Sequence, residues 1–286
     1  MSKNILVTGA NGQLGSEIRV LSESLKANFF FTDVLELDIT DRNAVDEFIY
    51  GNAIGIVINC AAYTQVDKAE DDYAMADRIN HLAVRNLAES CKNHRSLLIH
   101  VSTDYVFDGS GNIPYTENLP TAPLGIYGRT KLDGEHAVAA SGCNYFILRT
   151  SWLYSSFGNN FVKTMQRLTG ERDVLSVVFD QVGTPTYAHD LAKVILAIVA
   201  NEKYSENNGI FHFSNEGVCS WYDFALEIRD LAGNSCRIKP CHSDEFPSKV
   251  KRPHYSVLDK TKIKNTFGVV VPHWKESLKA CMRLIS

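Results

Sequence analysis

Short, nearly continuous apolar runs punctuate the first half of the chain at Ile5 to Val7, Phe29 to Phe31, Ile54 to Ile58, Leu97 to Val101 and Phe146 to Leu148. None shows the alternation of a strand with one wet face, so each reads as a strand covered on both sides. Between them, helical stretches run from Gln13 to Leu25, Arg42 to Phe48, Ala74 to Lys92 and Thr130 to Ala140. This repeated strand-then-helix order predicts an α/β fold, a doubly wound parallel sheet with helices on both faces.

After about residue 150 the rhythm loosens, with turn-rich segments at Tyr154 to Asn160, Ser205 to Gly209 and Asp244 to His254 and no linker rich in Pro, Gly or Ser. The pattern predicts a first domain over 1–150 and a smaller C-terminal α/β lobe, mainly 151–286, packed onto it. The apolar helical run around Asp190 to Ile195 and the strand-like Phe211-His212-Phe213 predict that the chain returns to the first domain around 181–213.

Composition narrows the partners. The 286 residues are 45% hydrophobic, and 29 Lys+Arg against 33 Asp+Glu leave a formal charge of only −4. No positive field gathers nucleic acid, and no polybasic tail holds a membrane. The apolar stretch at Ile5 to Val7 is too short for a signal-peptide core, and the run at Val194 to Ala200 is too short to span a bilayer, so a cytoplasmic protein is expected. Seven scattered cysteines without a CxxC pair read as reduced thiols, and nine dispersed histidines without HExxH give no metal site.

The chemistry begins at the first strand-to-helix turn. Gly9-Ala10-Asn11-Gly12-Gln13-Leu14-Gly15 reads G-x-x-G-x-x-G, a Rossmann-type loop whose backbone can approach a diphosphate at a helix N-terminus. The next strand ends at Asp33, 18 residues beyond Gly15, where a carboxylate meets ribose hydroxyls and repels a 2′-phosphate. No Arg or Lys in the loop offsets that repulsion. The residues alone lean toward NADH, with dual use of NADPH left open. Asp38 and Ile39 read either as an adenine edge or as an ordinary turn, and the small residues of Ala61-Ala62-Tyr63 follow a strand end, where a cofactor lies.

Tyr127 and Lys131 form a Y-x-x-x-K pair, one turn apart on a helix face. A phenol titrates about three units too high for acid-base work at neutral pH, and a neighbouring ammonium is expected to lower it. Thr103, 24 residues before Tyr127 at a strand end, offers a hydroxyl to polarise a substrate carbonyl.

These three elements, with Ser102-Thr103-Asp104-Tyr105-Val106-Phe107-Asp108-Gly109 as the middle one, resemble the extended short-chain dehydrogenase/reductase family. The segments Ala61 to Glu70, Arg149 to Tyr154, Asn159 to Met165, Asp180 to Thr186 and Arg252-Pro253 make the chain similar, within that family, to the dTDP-4-dehydrorhamnose reductases. The resemblance implies reduction of a 4-keto group on a dTDP-sugar by NADPH or NADH, with Tyr127 as proton donor, Thr103 tuning the carbonyl and Lys131 assisting. It implies cofactor contacts at Asn11, Gly12, Gln13, Asp33, Asp38, Ile39, Ala61, Ala62, Tyr63, Tyr127 and Lys131, within the loop that also holds Gly9, Leu14 and Gly15. It implies substrate contacts at Thr103, Asp104 and Trp152, with Tyr105 beside them. For Trp152 a core aromatic is the competing reading. Arg252 pairs with a diphosphate or is a solvated surface charge. A homodimer is a family-level expectation.

Related sugar-nucleotide 4,6-dehydratases carry Thr-Asp-Glu, whereas here Thr103-Asp104 is followed by Tyr105, which leaves a dehydration without its base. Epimerisation of a keto intermediate is not excluded in the same way. A second class stays open: the regulatory subunit of methionine adenosyltransferase resembles the same reductases and binds NADP as a partner protein. The intact Thr103, Tyr127 and Lys131 set favours an enzyme.

Overall fold

The computed structural model describes residues 3–23, 25–200, 207–246 and 248–285. The start of the expected turn at 205–209 and residue 247 of the turn-rich run lie outside the described residues. β1 (Lys3–Thr8), α1 (Gln13–Ser22), β2 (Ala27–Thr32), α2 (Arg42–Gly51) and β3 (Ile56–Asn59) open the chain. Short α3 (Val66–Ala69) and α4 (Tyr73–Asp77) lead through a π turn at Arg78–Leu82 into α5 (Ala83–His94). β4 (Leu97–Thr103), a 3-10 turn at Asp104–Val106, α6 (Ile126–Ser141) and β5 (Asn144–Thr150) follow.

The second half runs β6 (Leu153–Tyr154), α7 (Phe161–Glu171), β7 (Val174–Val178), β8 (Val182–Gly183), β9 (Thr186–Tyr187) and α8 (Ala188–Ala200). Then come β10 (Gly209–His212), β11 (Cys219–Ser220), α9 (Trp221–Leu231), β12 (Arg237–Cys241), α10 (Thr261–Phe267) and α11 (Trp274–Ile285).

Six parallel strands form the main sheet in the order β10-β5-β4-β3-β1-β2. Alternate residues of each strand go to opposite faces, and both faces are dry. Ile5, Val7, Ile58, Ile99 and Leu148 pack with α1 and α8, while Leu6, Val57, Leu98 and Ile147 pack with α2 and α5. This is why the strands read as unbroken apolar runs. α2 is started by Asp41, whose carboxylate accepts from the Asn43 and Ala44 amides at 2.9 and 3.1 Å, a cap worth about 1 kcal/mol.

The chain comes back to the sheet through α8, whose apolar face joins the α1 core, and β10, which adds to β5 at the edge. A separate core of Tyr154, Val162, Phe224, Trp274 and Leu278 holds the C-terminal elements around the parallel β7–β12 pair. The sheet's order reverses where β1 lies between β2 and β3, so the crevice at their carboxyl ends is the place for a ligand. Among the described residues no helix is long and apolar enough to cross a membrane, and all seven cysteines are free thiols.

Candidate active site

β1 ends at Thr8, and the chain must turn at once to begin α1. Gly9 makes the turn at φ +62°, and a Cβ there would stand 2.6 Å from the Ala61 amide nitrogen, so only glycine lets the ends of β1 and β3 close together. The Gly12 amide donates to the Gly9 carbonyl at 3.1 Å, and α1 starts without a side-chain cap. Its first amides are therefore available to an anion. Gly15 packs against Ala10 and the Gly9 carbonyl. The Leu14 side chain is buried in the core between α1 and the sheet, so its backbone is what it offers a ligand.

A cavity of about 440 Å3 opens at this loop, walled by Gly9, Gly12, Asp33, Asp38, Ile39, Ala61, Ala62 and Arg78 among others. The Asp33 carboxylate accepts from the Asn11 amide at 3.1 Å and the Val34 amide at 2.9 Å, which fixes its position and leaves lone pairs for hydroxyl donors. Asp38 accepts from the Thr40 amide, and this bond holds its carboxyl below the usual range, with Arg78 helping. Arg78 donates to the Thr40 hydroxyl at 2.7 Å and was not marked by the sequence, since one exposed arginine on a helix carries no signal. Donor-rich helix start, a carboxylate on the cavity wall and small residues beside it together fit a nicotinamide dinucleotide.

Two asparagines missed by sequence reasoning fasten this wall. Asn59 Oδ1 accepts from the Thr8 hydroxyl at 2.7 Å and the Ala61 amide at 3.1 Å, and its amide contacts His100 Nδ1 at 3.0 Å. Burial holds His100 well below its normal titration range, so it is neutral. Asn80, in the π turn, accepts from the Tyr63 amide at 2.8 Å and donates to the Tyr63 carbonyl and the Thr130 hydroxyl. It thereby ties the Ala62-Tyr63 segment to α6. A polar residue inside a helical stretch gives no hint of such a bond.

α6 begins at Ile126, so Tyr127 and Lys131 sit one turn apart, as the sequence predicts. A Cβ on Gly128 would stand 2.2 Å from the Tyr105 carbonyl, so glycine is what lets α6 press against the 3-10 turn. The Tyr127 ring packs edge-on against Tyr105 with ring centres 5.4 Å apart, and the Thr103 hydroxyl lies near enough to the phenol to favour its anion. The Thr103 hydroxyl donates to Asp104 Oδ1 at 3.0 Å and accepts from the Tyr105 amide at 3.2 Å.

The electrostatics depart from expectation. Burial pushes Tyr127 up to about 12, the nearby Thr103 hydroxyl pulls it down, and the Asp104 carboxylate pushes it up again. Lys131 does not pull it down here: its ammonium is buried, lowered to about 8, and donates to the Val101 carbonyl at 2.7 Å. Glu135, one turn beyond, opposes that lowering. Glu135 is itself held by Arg149, at 2.6 Å from Nη2, and by the Ser102 hydroxyl at 2.5 Å. Lys131 lies near Cys60, on the cavity wall, whose thiol burial pushes up to about 12 against the opposing pull of the ammonium.

The remaining substrate candidates separate. Asp104 is buried directly beside Thr103. Trp152, at φ +48° and half-buried, is stacked on Trp221 with ring centres 3.7 Å apart and packs against the C-terminal core. Arg252 pairs with Asp67 at 2.9 Å and lines a second cavity of about 1380 Å3, together with Phe161, Arg172, Gln181, Ser243 and Lys251. Its position is thus at a cleft edge, already neutralised by a carboxylate.

Comparison with known proteins agrees with this geometry. A family described as RmlD substrate binding domain matches residues 3–286. A dTDP-4-dehydrorhamnose reductase of Aggregatibacter actinomycetemcomitans is 41% identical over 284 residues, covering 96% of this chain and 97% of the relative. The crystal structure of a dTDP-4-dehydrorhamnose reductase from Clostridium acetobutylicum superposes with a TM-score of 0.94 at 46% identity, covering 99% of both chains. The Bacillus anthracis dTDP-4-dehydrorhamnose reductase, solved in complex with NADP, gives 0.93 at 38% identity, also over 99% of both. The chain therefore belongs to the RmlD substrate-binding-domain family, that of the dTDP-4-dehydrorhamnose reductases.

Proposed function

We propose that this protein is an NAD(P)H-dependent sugar-nucleotide oxidoreductase that reduces the C4 ketone of dTDP-4-dehydro-β-L-rhamnose to dTDP-L-rhamnose. The observation that carries the reading is the meeting of Thr103, Tyr127 and Lys131 at the carboxyl end of β4, with Lys131 beside the wall of the glycine-loop cavity. A bound dihydronicotinamide would supply hydride to the ketone carbon. The chain's own part is to hold and polarise the ketone and to deliver a proton to its oxygen.

Thr103 donates toward the carbonyl or the phenol, and Tyr127 gives its proton as the oxygen gains charge. A phenol held near 12 stays protonated until that charge develops, which suits a proton donor better than a base. Lys131 and the α1 amides hold the cofactor, with Asp33 on its ribose. The C-terminal elements 151–286, mainly, form the substrate lobe, and the 1380 Å3 cleft lined by Arg172, Lys251 and Arg252 takes the nucleoside diphosphate. The cofactor is NADPH or NADH, and the protein works in the cytoplasm as a homodimer, which analytical ultracentrifugation checks.

Purified protein with each cofactor and the enzymatically generated keto-sugar nucleotide tests the reading. Cofactor oxidation with formation of dTDP-L-rhamnose supports it. Cofactor binding without oxidation, with a co-purifying synthetase, would support a regulatory subunit instead.

A further inference from the structure

The wall of the glycine-loop cavity carries two carboxylates, Asp33 and Asp38, and among the described residues that line it Arg78 is the one cation. The glycine loop itself holds no Lys or Arg. Lys131, near Cys60, is buried and committed to the Val101 carbonyl at 2.7 Å. Any anion brought to the Asp33–Asp38 side of this cavity therefore has Arg78 as its counter-charge.

Arg78 opens the π turn Arg78–Leu82. The backbone of that turn is fixed from behind, because Asn80 is fully buried and bonds the Tyr63 amide at 2.8 Å, the Tyr63 carbonyl at 3.1 Å and the Thr130 hydroxyl at 3.2 Å. The Arg78 side chain, by contrast, is 56% exposed. Its Nη2 donates to the Thr40 hydroxyl at 2.7 Å and stands 3.9 Å from Asp38 Oδ2, a loose and wet ion pair that holds it weakly. A guanidinium has five N–H donors, and here one is engaged by a neutral acceptor. A fixed backbone that presents a lightly held fork suits a phosphate, which takes two parallel N–H bonds.

Asp33 answers the opposite demand. Its carboxylate, held by the Asn11 and Val34 amides, accepts from a free ribose 2′-hydroxyl and repels a 2′-phosphate. Acting alone it would make this an NADH site. We infer that Arg78 is the residue that admits NADPH, its guanidinium leaving Thr40 and Asp38 to take the 2′-phosphate and offset the Asp33 charge. The inference rests on the nicotinamide dinucleotide reading of this cavity.

The wall then carries one group for each form of the cofactor, Asp33 for the hydroxyl and Arg78 for the phosphate. With NADH the guanidinium stays on Thr40. With NADPH it moves, and the exchange costs one exposed bond to a neutral hydroxyl against a charge-assisted fork to a dianion. Because the pair is open to solvent, added salt weakens it. The cation comes from the start of a π turn beyond β3, so neither the glycine loop nor the end of β2 announces it.

Calorimetric titration with adenosine 5′-monophosphate and adenosine 2′,5′-bisphosphate tests this without turnover, since the two probes differ only in the 2′-phosphate. Arg78→Gln keeps a donor for Thr40 and should weaken the bisphosphate by about tenfold or more and the monophosphate by no more than about twofold. Arg78→Lys keeps the charge, loses the fork and should fall between. The gap between wild type and Arg78→Gln for the bisphosphate should narrow as salt is raised. As a second readout, the NADPH-to-NADH ratio of kcat/KM should fall in Arg78→Gln, the opposite direction to Asp33→Ala. An unchanged bisphosphate affinity in Arg78→Gln would overturn the proposal. So would an equal loss of both probes, which would make Arg78 an adenosine contact. A wild type that binds neither probe would remove the dinucleotide site and the proposal with it. The binding result stands whether or not the keto-sugar is reduced, so this inference and the reductase reading fail separately.

Discussion

Asp104→Asn should make the protein more stable at neutral pH, by an amount that depends on pH. The carboxyl is 3% exposed, and burial raises it from 3.8 to about 7. Below pH 4 it is protonated in both folded and unfolded chains and contributes nothing. Between about 4 and 7 the unfolded chain releases this proton while the folded chain keeps it, so stability falls as pH rises, by about 1.4 kcal/mol per unit. Above 7 both states are ionised, and the penalty levels off at about 4 kcal/mol. Asparagine keeps the acceptor for the Thr103 hydroxyl, offers an N–H toward Ser256 and carries no charge. Urea unfolding of wild type and variant, followed by tryptophan fluorescence, reads the difference directly. The variant's advantage should be about 2–3 kcal/mol larger at pH 8 than at pH 5. An advantage equal at the two pH values, or a wild type favoured at pH 8, would refute the reasoning. The active site would then hold no strained carboxyl.

Three further outcomes follow from the packing. Glu135→Gln leaves Arg149 buried without its anion and should destabilise the fold by about 3 kcal/mol, measured by urea unfolding. Gly128→Ala sets a Cβ against the Tyr105 carbonyl at 2.2 Å and should lower kcat by about tenfold or more by moving Tyr127 off Thr103, with cofactor affinity by fluorescence titration much less affected. Asp33→Ala removes the carboxylate tied to the Asn11 amide and should raise the NADPH-to-NADH ratio of kcat/KM; an unchanged ratio would take Asp33 out of the ribose site.

The parts of the fold that read clearly from sequence are those set by local pattern. A parallel strand dry on both faces must be apolar throughout, so Ile54 to Ile58 or Leu97 to Val101 announce themselves. The glycine loop and the Tyr127–Lys131 pair are equally local, because a tight turn and one helical turn fix their spacing. The hidden parts depend on contacts distant in sequence. Asn80 serves Tyr63 and Thr130 at separations of 17 and 50 residues, and Glu135 reaches back 33 residues to Ser102. Nothing in periodicity marks either. The expected help from Lys131 to Tyr127 failed for a different reason, since charge effects depend on what else the ammonium meets, here the Val101 carbonyl.

The central claim is that this chain reduces a 4-keto sugar nucleotide with Tyr127 as its acid. The most direct measurement follows NADPH and NADH absorbance with enzymatically generated dTDP-4-keto-6-deoxy-L-lyxo-hexulose, for the wild type and Tyr127→Phe, with the product identified by mass and stereochemistry. The account predicts stoichiometric oxidation and dTDP-L-rhamnose from the wild type, and a loss of about 100-fold or more in Tyr127→Phe with cofactor still bound. Undiminished turnover by Tyr127→Phe, or no oxidation by a wild type that binds cofactor, would contradict it.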